Sequence, residues 1–206
     1  MIRLVAVFVA VVAVTSLCAQ PASIEAMVGE QNYFYQHAFS GSFVSSRFGF
    51  FHTSSVHAFY DSDDLNELMS QSYVTYALAG FVKVAVGTFY ASKPGISPAA
   101  SLQFRYAHRD FKASLVPRID LQKNGSVEVM MLLEYNPAIT ESIQFYSRAQ
   151  FMTNYGPYHH NRSYQNFRAG LQVNQTVMGI ALNIDERGSD ITTLHNLGVF
   201  LRYGFN

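Results

Sequence analysis

Cysteine is all but absent from this chain, which carries only Cys18 in 206 residues. One thiol excludes an internal disulfide framework, so stability has to come from packing and hydrogen bonding. Charge is scarce too: Asp, Glu, Lys and Arg make up 14% of the residues, against about a quarter in an ordinary soluble domain. The formal net charge is zero. No basic excess points to nucleic acid, and no acidic run points to a disordered tail. Long apolar runs are missing beyond the N-terminus, because Lys83, Arg105, Arg109, Lys112, Arg118 and Glu128 interrupt every stretch that a transmembrane helix would need.

The opening segment, MIRLVAVFVAVVAVTSLCAQ, has one basic residue, Arg3, then an apolar run from Leu4 to Val14 and small residues near its end. This is the pattern of a secretory signal peptide over 1–19, with cleavage after Ala19. Cys18 would leave with it. A lipoprotein reading of Cys18 wants a small residue before the cysteine, where Leu17 stands.

What the chain does have is aromatic residues, 15% of the total, and apolar residues at alternate positions. The C-terminal stretch NLGVFLRYGFN places Leu197, Val199, Leu201, Tyr203 and Phe205 in one series and Gly198, Phe200, Arg202 and Gly204 in the other. Period-2 alternation is the mark of a strand with two unlike faces. The same rhythm predicts strands near 46–60, 69–79, 81–91, 99–108, 111–121, 126–136, 142–152, 163–174, 176–185 and 193–205. Short connections (79–80, 108–110, 136–141, 174–175) alternate with more polar ones rich in Gly, Pro, Asn and Asp (61–68, 92–97, 122–126, 153–162, 186–192). An exported, greasy chain without a greasy helix fits an all-β, antiparallel up-and-down transmembrane barrel of about ten strands over 45–206, both termini periplasmic. Residues 20–44 read as an N-terminal periplasmic or plug segment, with Ser23 capping a short helix and Glu25 in its first turn, although the alternation in YFYQHAF (33–39) fits a strand equally.

With its signal, strand rhythm, loop asymmetry and FLRYGF ending, the chain resembles the small outer-membrane β-barrels of Gram-negative bacteria. The Ala-Gln junction and the Tyr- and Asn-rich loops are similar to barrels of Bacteroidota. The resemblance implies residence in the outer membrane among lipid and lipopolysaccharide. It implies handling by the barrel-insertion machinery through Tyr203 and Phe205, contacts with other outer-membrane proteins, and no cofactor. Asn206 departs from the pattern by following the closing aromatic.

The candidate site is the lumen. Arg105, Arg118, Arg148, Arg168 and Arg202 fall on inward phases together with Asp120, Glu128, Glu134 and Asp185. Near balance of acids and bases favours an ion-pair network as a polar core, in a structural or accessory subunit of a larger complex. The alternative is a narrow solute pore in which guanidinium groups grip anions. A rim hydrolase or acyltransferase is a further alternative, but no paired nucleophile and base marks one. His159 and His160 read as an exposed loop tip, and Asp61–Asp64 as a solvated acidic loop, neither with the converging ligands of a metal site.

Overall fold

The computed structural model describes residues 22–43 and 46–205; the predicted signal peptide lies outside them. Among the described residues twelve strands form one closed antiparallel barrel. They are β1 (Ala22–Gly29), β2 (Asn32–Ser42), β3 (Phe48–Phe59), β4 (Glu67–Ala79), β5 (Val82–Ala91), β6 (Gly95–His108), β7 (Phe111–Asp120), β8 (Val127–Tyr135), β9 (Ile143–Tyr155), β10 (His160–Val173), β11 (Thr176–Arg187) and β12 (Thr192–Phe205). Each strand pairs with its sequence neighbours, and β1 closes on β12 in the register Ala22↔Phe205 to Gly29↔Gly198. Closure leaves no strand edge unpaired.

Ten of these are the strands expected from alternation. The other two correct the reading of 20–44. That segment's described residues, 22–43, form neither helix nor plug but a hairpin of the wall, so the barrel has twelve strands among the described residues rather than about ten. Ile24, Ala26 and Val28 point outward, while Glu25 and Met27 are buried inside. A short strand carrying a glutamate next to a cap-like serine mimics a helix start. The closing partner β12, nearly the whole chain away, decides the conformation.

The turns follow local chemistry. Asn174 sits at φ +54° in the two-residue link between β10 and β11, a left-handed conformation that Asn tolerates well. Asn196 on β12 fastens the β1–β2 turn: its Oδ1 accepts from the Gln31 N–H at 2.9 Å, and its Nδ2 donates to the Asn32 carbonyl at 3.1 Å. The expected loop asymmetry is only partial. The connection over 136–142, at the end that carries the termini, is as long as the connection over 60–66 at the far end. The latter holds a short 3₁₀ turn, Asp63–Leu65.

Outward positions are apolar along most of the wall, as in Val129 on β8, Met178 and Ile180 on β11, and Val199 and Leu201 on β12, all exposed. The core lies within the lumen. It has two apolar clusters, one of Met27, Phe34, Tyr146, Val177, Ala181 and Phe200, the other of Tyr73, Ala85, Phe89, Ala91 and Ala99. Between them runs the charge.

Candidate functional site: an ion-paired lumen under an open vestibule

Seven of the nine predicted lumen residues are buried: Arg118, Asp120, Glu128, Glu134, Arg148, Arg168 and Asp185. Arg202 is half-buried, and Arg105 is on the inward phase of β6 but exposed. Their grouping differs from a single network. Arg118 on β7 bonds Glu128 on β8 at 2.9 Å and approaches Asp120 at 3.7 Å. Its guanidinium lies 3.6 Å from the centroid of the Phe89 ring. Asn154 completes that corner by donating to Glu128 at 3.2 Å. Arg202 reaches from β12 to Glu134 on β8 at 3.2 Å, and Tyr146 donates its hydroxyl proton to the same carboxylate at 3.1 Å.

The partners of Arg148, Arg168 and Asp185 are residues the sequence reading did not include in the lumen. Glu25 on β1 accepts from Arg148 Nη2 at 2.8 Å and from Arg168 Nε at 2.9 Å. One carboxylate from the first strand thus ties together β9 and β10. Arg168 is held further by Asn183 Oδ1 at 2.8 Å. Asp185 takes Arg162 in a two-pronged grip, Nε to Oδ1 at 2.7 Å and Nη2 to Oδ2 at 2.9 Å, and takes Arg187 Nε at 2.7 Å. Arg162 also contacts Glu67 on β4. In the strand order β4 and β10 lie diametrically opposite, so this contact straps the lumen across its full width.

The missed residues had a signal. Ser23, Glu25 and Met27 alternate with Ile24, Ala26 and Val28, the same rhythm that marks every other strand. Arg162 and Glu67 were lost because the expected strands began at 163 and 69, short of the observed His160 and Glu67 starts. His160 likewise corrects the loop-tip reading. It begins β10 and is buried, with ring nitrogens 3.0 Å from the Gly188 carbonyl and 2.8 Å from Ser163 Oγ.

Above the ion pairs the lumen is open. A cavity of about 520 Å³ enters from the end that carries the termini, where Ser23, Ser40, Arg105, Lys112 and Asn136 line it, and descends to Glu25, Arg148 and Glu128. Two strands beyond the expected ten widen the lumen enough to leave this vestibule. Arg105 and Lys112 line it without an ion-pair partner among the described residues. Arg162, Asp185, Glu67 and Arg187 lie outside the cavity, forming a charged floor between it and the far end. Tyr203 and Phe205 are on the outward face of β12, exposed, with their rings edge to face at 4.9 Å.

A closed, twelve-stranded, up-and-down barrel with a charged lumen has the fold of the small outer-membrane porins. The KdgM porin matches with a TM-score of 0.53 over 91% of this chain and 100% of its own, at 12% identity. The NanC porin matches with a TM-score of 0.54 over 90% and 99%, also at 12% identity. The KdgM porin has also been solved in complex with disordered oligogalacturonate, a structure that matches at a TM-score of 0.52 and 10% identity over 91% and 100%. No protein-family profile matches the chain, and no curated protein does.

Proposed function

We propose that this barrel spans the outer membrane as a narrow, non-enzymatic pore with a preference for small anionic solutes. The observation that carries the reading is the vestibule: Arg105 and Lys112 stand at its wall without an ion-pair partner among the described residues, while Arg148 deeper in it is paired with Glu25. Cations on a confined wall raise the local concentration of anions and set selectivity. End-to-end correspondence with the porin fold supports the architecture. The straps Arg162–Glu67 and Glu25–Arg148 then act as the constriction, limiting the pore to low conductance. Tyr203 and Phe205, outward on the last strand, are the side chains offered to the insertion machinery and the surrounding lipid.

Planar bilayers test this. Purified protein under a salt gradient is expected to give small conductance steps with a reversal potential on the anion side. Arg105→Glu with Lys112→Glu is expected to move that potential toward cations without unfolding the barrel, because neither side chain is ion-paired. Silent bilayers at all voltages, or cation preference in the unmodified protein, would refute the pore. Silence would favour a structural barrel whose lumen is closed by the paired straps.

A further inference from the structure

The far rim, opposite the termini, places a serine and a histidine together on the outer wall. There β10 opens with a bulge: His160 pairs with Tyr155 and Arg162 with Asn154, so Asn161 is the extra residue. In an unbroken strand His160 and Ser163, three positions apart, would lie on opposite faces. The bulge re-aims His160 onto the face of Ser163. That face is the outer one, because Arg162 binds Asp185 inside the lumen and Tyr164 lines its cavity, leaving Ser163 between them to point outward. Thr153 on β9 stands opposite Ser163 in register and points outward with it.

The three side chains form a directed chain of bonds. His160 Nδ1 lies 3.0 Å from the Gly188 carbonyl oxygen. A carbonyl only accepts, so Nδ1 carries the proton of the neutral ring and Nε2 is left as an acceptor. Ser163 Oγ, 2.8 Å from Nε2, gives its proton to that bond. The 2.9 Å contact between the Ser163 and Thr153 hydroxyls is then made with the Thr153 proton. A hydroxyl donating to an imidazole whose other nitrogen is held by a third group is the arrangement that activates serine. Tyr155 packs edge to face on His160 at 5.3 Å, and His160 is buried while Ser163 stays partly exposed.

Height on the wall points to the substrate. Exposed Tyr155 and Tyr158 mark this rim, and aromatic girdles sit at the membrane–water interface. Along β10 the outward series runs Ser163, Gln165, then Phe167 and Leu171, with Phe151 of β9 edge to face on Phe167 at 5.7 Å. Polar residues give way to apolar ones just below Ser163. A membrane lipid carries its acyl ester at this level, between headgroup and tail.

We propose that Ser163 and His160 form a catalytic dyad that cleaves acyl esters of the lipids around the barrel. The inference rests on the membrane placement given above and leaves the lumen a non-enzymatic pore, since the chemistry belongs to the outer wall. Ser163 Oγ attacks the ester carbonyl carbon and passes its proton to His160 Nε2. The Thr153 hydroxyl, 2.9 Å from the attacking oxygen, turns onto the negative charge that forms on the carbonyl oxygen. The bond from the acyl carbon to the lipid alcohol oxygen breaks, and the alcohol leaves with the proton from His160. Water then attacks the acyl carbon and gives a proton to Nε2. The bond to Ser163 breaks, that proton returns to Ser163 Oγ, and free fatty acid departs.

A fluorophosphonate, which bonds covalently to activated serines, is the first probe. Full-chain protein folded in phospholipid vesicles is expected to be labelled at Ser163, and Ser163→Ala to stay unlabelled. Free fatty acid is expected to accumulate in the same vesicles or in vesicles containing lipopolysaccharide, and the arm in which it appears identifies the lipid that supplies the ester. His160→Gln is expected to slow labelling and release about 100-fold, while the barrel still migrates faster unboiled than boiled. No label on heat-modifiable protein, or label and release indifferent to Ser163→Ala, would overturn the dyad. Label without fatty acid in either arm would overturn the lipid ester as substrate. Protein without heat-dependent migration would instead overturn the membrane placement on which the inference rests.

Discussion

Replacing Glu25 by alanine puts the ion-paired lumen to its hardest test. Glu25 is 3% exposed and holds two guanidinium groups at once, Arg148 at 2.8 Å and Arg168 at 2.9 Å. Alanine leaves two buried cations side by side without their shared anion. Removing one partner of a buried pair costs about 3–5 kcal/mol. Arg168 keeps its bond to Asn183 Oδ1, and the vestibule gives water some access to Arg148. The loss expected for Glu25→Ala is therefore about 3–4 kcal/mol, within that range. Glu25→Gln, which keeps an acceptor but not the charge, should fall between alanine and the native residue. The assay is urea unfolding of the barrel folded in lipid vesicles, read by the fraction of fast-migrating band on unboiled gels. Combining Glu25→Gln with Arg148→Gln should recover part of the loss, because the double variant removes the uncompensated charge. A cost under about 1 kcal/mol, the size of an exposed surface pair, would refute the reasoning. It would mean that these groups are solvated as if in bulk water.

Other outcomes follow from the same structure. Folded protein should resist SDS at room temperature and shift on boiling, since closure of β1 on β12 leaves detergent no edge to open; identical migration would argue against a membrane barrel. Glu128→Ala should also cost a few kcal/mol by stranding Arg118, although Asp120 at 3.7 Å softens it; outward Leu133→Ala, measured by the same urea series, should cost less. Gly87→Ala should destabilise the β4–β5 pairing by about 1–3 kcal/mol, the range for enforced backbone strain, because a Cβ there would lie 1.9 Å from the Ser72 carbonyl oxygen; an unchanged unfolding midpoint would contradict that close approach. Anion preference should fade as ionic strength rises, because the vestibule cations are exposed to screening, whereas the urea midpoint should change little, because the straps are buried.

Alternation by itself determined much of this protein. Outward Val129, Met131 and Leu133 against inward Glu128 and Glu134 declare two unlike faces, and a run of such segments declares a sheet. Charges that hydrocarbon would reject place Arg118, Arg148 and Arg168 inside once the sheet closes. The same information lies in Ser23 to Val28, but eight residues next to a predicted leader satisfy a helix start as well as a strand. Local sequence leaves that conflict open, and pairing with β12 resolves it, since strand hydrogen bonds are made with residues distant in sequence. Partnership across the lumen was beyond sequence for a different reason. Arg168 and Glu25 are 143 positions apart, and phase tells which way a side chain points but not its height or what stands opposite. Only the tertiary structure, through strand count and register, decided that Glu25 and Glu67 complete the charge pairs, that twelve strands leave a vestibule above them, and that Arg105 and Lys112 face it unpaired.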